Sequence, residues 1–264
     1  MAAKNQDPNY QVRAVSRALQ ILRLFTTERP ELSLSEISEL SNLNKSTILR
    51  LLSVLREERF IVQNPANEKY SLGIRVFEIG SVYYLCHLRI NQVARVYMET
   101  LCEKVKLTTN LAILDHGDVL YIGIEEPQKL IRLNISIGSR FGVHYTALGK
   151  VLLSNMSEEM IDMIIAEKGG LEKRTDKTIT CPEEFKEHLK TIKEQGYALD
   201  DEEGILGITC IAAPIYDYSG SNVAALSISG MSVEITDERK PELVEVLKET
   251  ANSISGSLGY KLKV

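Results

Sequence analysis

A short segment of the chain combines hydroxyl and basic side chains in a pattern that suits contact with nucleic acid. The residues are Lys45, Ser46, Thr47 and Arg50. Asn44 precedes them and is a favoured N-cap residue, so we expect a helix to begin at Lys45 and to end near Arg59. The free amides and positive dipole end of a helix N-terminus attract phosphate, and Arg50 is long enough to reach a base edge. This chemistry indicates a helix that enters the major groove of DNA.

Two helices are predicted before this segment and would hold it in place. Apolar residues recur at helical spacing within residues 12–25, which predicts a first amphipathic helix. Ser33 and Glu36 form a capping box. The short helix that it opens runs from Leu34 to about Leu40 and is expected to bury Leu34, Ile37 and Leu40. The apolar stripe of the third helix would then pack on the first two.

A hairpin is predicted directly after the third helix. Residues 60–63 and 69–72 have strand-like patterns and flank a turn that contains Pro65. Three helices and this hairpin make a winged helix-turn-helix, whose first helix and wing would contact DNA phosphates. The expected phosphate contacts are Arg13, Arg17, Asn67 and Lys69. Such a segment can also be a purely structural module, so DNA binding is the favoured of two interpretations.

Charge and composition permit this interpretation and exclude several others. The whole chain of 264 residues has a net charge of −5, whereas residues 1–72 contain ten basic and eight acidic side chains. A hydrophobic content of 44% without low-complexity tracts excludes a disordered or fibrous protein. The four cysteines form no CxxC pair, and no apolar run approaches the length of about eighteen residues that spans a membrane. We therefore expect a protein of the reducing cytoplasm.

The remaining chain mixes helical and strand patterns. An apolar helix over residues 73–87 is expected to link two domains and, because its apolar surface exceeds one stripe, to contact a second copy in a dimer. The alternative is a helix that is buried in its own domain. The predicted strands are residues 109–115, 119–125, 132–137, 197–200, 209–216 and 222–230. The predicted helices are residues 93–105, 147–153, 158–167, 183–195 and 241–258. Strands joined by tight turns and interleaved with helices indicate an α+β, sensor-like domain with a mostly antiparallel sheet.

With both halves placed, the chain resembles the IclR family (isocitrate lyase regulator type) of bacterial transcription factors over essentially its whole length. The segments that carry the resemblance are RAVSRALQIL (13–22), NKSTILRLLSVL (44–55), YSLGIRVFEIG (70–80), HYTALGKVLL (144–153), GYALDDEE (196–203), GITCIAAPIYD (207–217) and ALSISG (225–230). Any one of them is a weak signal, but together and in this order they are specific. One departure is Val143, which stands where many members have proline.

The resemblance implies a winged helix-turn-helix, a linker helix and a C-terminal GAF-like sensor domain. The corresponding boundaries are residues 1–72, 73–90 and 91–264. Members bind operator DNA as dimers or dimers of dimers, and they repress or activate transcription in response to a small organic molecule. The resemblance implies that the effector pocket is formed by Ala147, Leu148, Asp200, Cys210, Ser227 and Ser229. It implies no cofactor.

The chemistry of these residues suits a small carboxylic or aromatic acid. The helix expected to begin at Ala147 has unpaired amides and a positive dipole end. Ser227 and Ser229 are two residues apart on a strand, so they point to one face and can donate to oxygen atoms. Cys210 adds a small, polarisable wall. The alternative is that the C-terminal domain serves only oligomerisation and that its serines are satisfied core groups.

An enzyme and a metalloprotein are less consistent with the sequence. Cys210, His144 and Asp200 could supply a thiolate, a base and a group that orients the base. Cys210 lies in an apolar run, however, where cysteine is usually inert, and GxSxG, HExxH, P-loop and GxGxxG motifs are missing. Cys86 and the histidines lack the spacing of metal ligands. We therefore expect neither catalysis nor a required metal.

Overall fold

The chain folds into two units. The computed structural model describes residues 12–87, 89–128 and 135–261. Internal contacts divide the chain into Met1–His87 and Leu88–Val264. Each unit has its own hydrophobic core. No helix in the described ranges is long and apolar enough to cross a membrane.

The first unit combines helices with a small antiparallel sheet. In the described part of this unit the helices are α1 (Arg13–Leu22), α2 (Leu34–Ser41), α3 (Lys45–Glu57) and α4 (Ile74–His87), and the strands are β1 (Glu31–Leu32), β2 (Ile61–Gln63) and β3 (Tyr70–Leu72). The strand order is β1-β3-β2, with both pairs antiparallel. The β2–β3 hairpin is the predicted wing. Strand β1 was not predicted, because two residues are too few to show a strand pattern.

Local capping determines where α2 and α3 begin. The Ser33 hydroxyl accepts a hydrogen bond from the Glu36 amide at 3.3 Å, and the Glu36 carboxylate accepts one from the Ser33 amide at 2.7 Å. Asn42, in the left-handed conformation, ends α2. The Asn44 side-chain oxygen then accepts from the Thr47 amide at 2.9 Å and opens α3. Both predicted caps are confirmed, and they define the turn between the two helices.

Helices α1, α2 and α3 close around a small apolar core. Its most buried members are Ile21, Ile37, Ile48, Leu52 and Ile61. Helix α3 ends at Glu57, two residues before the predicted end near Arg59. One expectation needs correction. Leu40, expected to be buried, is 43% exposed, because the face of α2 that meets the core passes through Ile37 and Ser41 and leaves Leu40 to one side.

The second unit is built on a six-stranded sheet. Within its described residues the strands are β4 (Thr108–Asp115), β5 (Asp118–Glu125), β6 (Arg140–Gly142), β7 (Ala198–Asp201), β8 (Ile208–Tyr216) and β9 (Asn222–Met231). The helices there are α5 (Arg89–Val105), α6 (Ala147–Leu153), α7 (Glu158–Glu167), α8 (Pro182–Gln195) and α9 (Lys240–Ser257). The strand order is β6-β5-β4-β9-β8-β7, and every neighbouring pair is antiparallel. The predicted α+β fold with an antiparallel sheet is confirmed.

Helices cover both faces of this sheet. Helices α5 and α9 pack on one face through residues such as Met98 and Leu247. Helices α6, α7 and α8 pack on the other through residues such as Val151 and Phe185. The strands alternate between the two cores, as the period of two requires. The sheet is therefore the middle layer of three.

Two edges of the second unit differ from the prediction. Of the strand expected at 132–137, residues 132–134 lie outside the described residues, and residues 135–137 form no strand. Strand β6 was not predicted, because its three residues carry no alternation. The other predicted elements are confirmed with small shifts at their ends, the largest at α5, which begins at Arg89.

Candidate functional site

The predicted DNA-contacting residues of α3 lie on its outer side. Lys45, Ser46 and Arg50 are exposed, and Thr47 is half-buried. The Lys45 ammonium donates to the Ser35 hydroxyl at 3.0 Å, and the Ser46 hydroxyl donates to the Asn44 side chain at 3.0 Å. Arg50 has no ion-pair or hydrogen-bond partner in the part of the chain that is described. Its guanidinium is therefore available to an outside partner.

The residues expected to contact phosphates have two different environments. Arg13 and Arg17 are exposed on α1. In the wing, Asn67 donates to the Glu31 carboxylate at 3.3 Å. Lys69 is half-buried in a groove of about 630 Å³ whose lining includes four glutamates. The two wing residues thus already face carboxylates, whereas the arginines face solvent.

Four of the residues expected to bind an effector lie together on one face of the large sheet. Asp200 of β7 pairs with Cys210 of β8, which pairs with Ser229 of β9. Ser227 lies two residues earlier on β9 and so shares this face. Asp200, Ser227 and Ser229 are buried. We call these four residues the polar strip, and α6, which begins at Ala147, covers the same face of the sheet.

Helix α6 begins with a tight capping arrangement. The Thr146 hydroxyl donates to the Gly142 carbonyl at 2.9 Å and accepts from the Gly149 amide at 3.2 Å. The amides of Ala147 and Leu148 have no hydrogen-bond partner among the described residues, as is usual in the first turn of a helix. A side chain at Gly149 would overlap the backbone of the preceding loop, which packs directly on the helix. The two residues expected to offer amides are therefore held in a fixed position.

Two tyrosines border the polar strip. Tyr121 is buried in the apolar core on the same face of the sheet, and burial raises its pKa, with Cys210 and Asp200 acting in the same direction. The Tyr145 hydroxyl accepts a hydrogen bond from the Gly142 amide at 2.8 Å. A side chain at Gly204 would meet the Tyr145 ring at 3.2 Å and the Asp200 carboxyl at 3.7 Å, so this aromatic ring lies next to the polar groups.

Asp200 has an unusual electrostatic environment for a carboxyl group. Burial raises its pKa to about 7, and the opposing effects of the Lys150 charge and of two amide hydrogen bonds are smaller. Those amides, of Glu203 and Gly204, donate to the same carboxyl oxygen at 2.8 and 3.3 Å. With this pKa, a substantial fraction of Asp200 is protonated at neutral pH. In that form it can donate a hydrogen bond to an anionic ligand.

A buried lysine anchors the segment that carries Asp200. Lys150 of α6 is fully buried and donates to the Leu199 carbonyl at 2.7 Å and to the Glu203 carboxylate. The Thr178 hydroxyl donates to the Glu203 carbonyl at 2.7 Å. The pairing of Lys150 with Glu203 was not predicted from the sequence. The signal was a lysine inside an otherwise apolar helix, where an unpaired charge would be costly.

Asn110 is a second residue that the sequence reading missed. It lies on β4 opposite Ser227 and is completely buried. Its side-chain nitrogen donates to the Ser227 hydroxyl at 3.1 Å and to the Ser229 hydroxyl at 3.0 Å. Its side-chain oxygen has no partner among the described residues. The signal was an asparagine inside a strand, a place where asparagine is disfavoured.

A nucleophilic, catalytic role for Cys210 has little support in the structure. Burial raises the pKa of the Cys210 thiol, and the neighbouring Asp200 acts in the same direction. A thiol of raised pKa is a poor nucleophile. The His144 ring nitrogen Nε2 is hydrogen-bonded to the Glu172 carbonyl at 2.9 Å. Across the described ranges, no group of three or more His, Cys, Asp or Glu residues is arranged to hold a metal ion.

A winged helix-turn-helix joined to a sensor-like domain defines a DNA-binding regulator with a ligand-responsive domain. Residues 14–65 match the IclR helix-turn-helix domain, and residues 82–256 match the domain described as bacterial transcriptional regulator IclR C-terminal. The chain belongs to the IclR family of bacterial transcriptional regulators. The expected family resemblance is thereby confirmed.

Similar proteins agree with this assignment over nearly the full chain. The HTH-type transcriptional regulator XynR of Escherichia coli K12 is 35% identical, over 94% of this chain and 98% of that protein. The crystal structure of IclR from Thermotoga maritima has a TM-score of 0.77 and 31% identity, over 95% of this chain and 100% of that one. An IclR homologue from Microbacterium hydrocarbonoxydans, solved with 4-hydroxybenzoate, has a TM-score of 0.82 and 26% identity, over 93% and 98% of the two chains.

Proposed function

We propose that this regulator binds a small organic acid at the polar strip and that the bound acid changes its affinity for operator DNA. The observation that carries the proposal is the strip itself, in which carboxyl, thiol and hydroxyl groups lie side by side in a buried layer that is otherwise mainly apolar. The Asn110 side-chain oxygen beside the strip has no partner among the described residues, and burying such a group is unfavourable, so the cluster favours a functional reason. The 4-hydroxybenzoate complex of the Microbacterium homologue supports an acid as the effector class.

Each residue of the site has a proposed role. The Ser227 and Ser229 hydroxyls and the amides at the start of α6, from Ala147 and Leu148, donate to the effector's oxygen atoms. Asp200, in its protonated form, adds a further donor, and Cys210 forms a small polarisable wall. The support is burial on a common sheet face and the raised pKa of Asp200.

The DNA-binding surface is proposed to centre on α3. Its N-terminal half enters the major groove, where Arg50 reads a base edge. The other groove contacts are Lys45, Ser46 and Thr47, and the phosphate contacts are Arg13, Arg17, Asn67 and Lys69. Exposure of Arg50 without a partner in the described residues supports this role. Contacts by Asn67 require it to leave the Glu31 carboxylate.

The regulator is proposed to act as a homodimer or a dimer of dimers. Helix α4 exposes a series of large apolar side chains, which suits contact with a second copy. These are Ile74, Phe77, Ile79, Val82 and Tyr83. We propose a division into a DNA-binding domain (1–72), a linker helix (73–90) and an effector-binding and oligomerisation domain (91–264). The protein would act in the cytoplasm, where its paired winged helices would read operator half-sites about 34 Å apart.

The proposal includes neither catalysis nor a cofactor. The relatives are transcriptional regulators, and the raised pKa of Cys210 disfavours a nucleophilic role for it. A second candidate function is oligomerisation alone, without an effector. It is favoured by one observation, that Ser227 and Ser229 already accept hydrogen bonds from Asn110.

A thermal-shift screen distinguishes the two functions. Small carboxylic and aromatic acids, 4-hydroxybenzoate included, are tested on the wild-type protein and on Ser227→Ala and Ser229→Ala variants. A ligand that binds only the folded state, present at a hundred times its Kd, stabilises that state by about 2.7 kcal/mol, so Tm rises with ligand concentration. Ser255→Ala, at a buried serine of α9, is the matched control and keeps the response. A response that survives in both strip variants contradicts the proposed site.

A further inference from the structure

Asn110 controls how the hydroxyl groups of the polar strip can be used. Its NH₂ group donates one hydrogen bond to each serine, at 3.1 Å to Ser227 and 3.0 Å to Ser229. A hydroxyl that accepts in this way still has its own proton to donate. Asn110 therefore orients both serines as donors, which suits a carboxylate and disfavours a ligand that offers only donors.

The oxygen of the same carboxamide is the unusual feature. Asn110 is 0% exposed, and its Oδ1 has no hydrogen-bond partner in the described ranges. Because the amide is planar and its nitrogen faces β9, the oxygen points away from the serines. A buried acceptor without a partner is unfavourable. A ligand with a donor placed beside its carboxylate would satisfy it.

We propose that the effector is a hydroxylated carboxylic acid whose hydroxyl group donates to Asn110 Oδ1 while its carboxylate accepts from Ser227 and Ser229. This inference rests on the proposed effector site and specifies the ligand class for it. Asn110 is then the residue that distinguishes a hydroxy acid from the same acid without the hydroxyl.

Matched pairs of acids test the proposal. The probes are glycolate and acetate, lactate and propionate, and mandelate and phenylacetate, in each of which the hydroxyl lies on the carbon next to the carboxylate, with pyruvate as the oxo counterpart of lactate. Binding to the full-length protein is measured by calorimetry. For the wild type we expect the hydroxylated member of at least one pair to bind about tenfold more tightly, the ratio expected when a buried acceptor gains its partner.

Two variants and a control assign the preference to Asn110. In Asn110→Ala we expect the ratio within the pair to fall below about twofold, since the acceptor is gone. Asn110→Leu, of similar volume, serves where the alanine variant does not fold. Asn222→Ala is the matched control, because Asn222 also has a buried side-chain oxygen without a partner in the described residues, at the opposite end of β9. The control keeps the wild-type ratio.

The possible outcomes separate this inference from the proposed function. Equal binding within every pair, or a ratio that persists in the Asn110 variants, overturns the hydroxy-acid inference. Tighter binding of pyruvate than of lactate also overturns it, since it would mean that the amide presents its nitrogen to the ligand. If these acids bind and lose affinity in Ser227→Ala, the effector site itself stands. If no acid of the panel binds, both the ligand class and the proposed organic-acid site fail.

Discussion

Replacing Lys150 by methionine removes a charge that α6 holds in the interior of the second unit. The Lys150 ammonium is completely buried, and it donates to the Leu199 carbonyl at 2.7 Å and to the Glu203 carboxylate. Methionine has a similar length, so the change leaves little empty space. It leaves the Glu203 carboxylate in a site where only 11% of its side chain is exposed.

The expected loss of stability follows from the free-energy cost of a buried charge that has lost its partner. Removing one member of such a pair destabilises a protein by about 3 to 5 kcal/mol. For a unit of this size, each kcal/mol lowers Tm by about 2 to 4 °C. We therefore expect the unfolding transition of the second unit to fall by about 6 to 20 °C in Lys150→Met.

Calorimetry of the full chain, compared across three variants, measures this effect. Lys177→Met is the control, because Lys177 pairs with Asp201 at 3.0 Å at the surface, with 47% and 45% of the side chains exposed. Such a pair contributes about 1 kcal/mol or less. The double variant Lys150→Met with Glu203→Gln removes both charges and should recover part of the lost stability.

A loss below about 1 kcal/mol in Lys150→Met, similar to that of the surface control, would refute the reasoning. So would strictly additive effects in the double variant, because they would mean that the two charges do not interact. The same substitution also removes the positive charge that lowers the pKa of Asp200, so that pKa should rise further.

Three other predictions concern the remaining parts of the account. Arg50→Ala should relax sequence preference at one operator position at a cost of about 1 to 3 kcal/mol, whereas Lys69→Ala should weaken binding to all sequences and reduce by about 1 the slope of log affinity against log salt concentration. Gel shifts with mutated operators and a salt series measure the two effects. The reverse pattern would contradict the assignment. Burial raises the pKa of Asp200 to about 7, above its unfolded value of about 3.9, so its neutral form favours folding and this stability is lost as pH rises towards 7. Urea unfolding between pH 5 and 8 should therefore show a steeper fall for the wild type than for Asp200→Asn, and parallel curves would argue against the raised pKa. Asn44→Ala should lower the stability of the first unit by about 1 kcal/mol, because α3 loses its cap, and no change in its melting transition would remove that role.

The helix-turn-helix could be predicted because its signals are local. The Ser33 capping box and the Asn44 cap depend on residues three positions away, and the structure confirms both. The burial of Leu40 was wrong because it depends on how a short helix rotates against its neighbours, which the apolar spacing alone leaves open. Strand β1 was missed because it exists only through pairing with the wing.

The candidate effector site was predicted only in part, for a related reason. Ser227 and Ser229 share a face by strand periodicity, so the sequence alone brings them together. Asn110 precedes them by more than a hundred positions and joins them through the β4–β9 pairing. The partner of Lys150 is likewise distant in sequence, on the turn after β7. Contacts of this kind depend on sheet order, which the sequence reading did not assign.

The central claim is that an acid bound at the polar strip changes the affinity for DNA. The direct measurement is fluorescence anisotropy of labelled DNA from upstream of the gene, titrated with protein at fixed salt, with and without a saturating acid identified by the thermal-shift screen. The account predicts a shift in Kd of tenfold or more for the wild type, corresponding to about 1.4 kcal/mol of coupling, and none for Ser227→Ala with Ser229→Ala. An unchanged Kd in the presence of an acid shown to occupy the strip would contradict it.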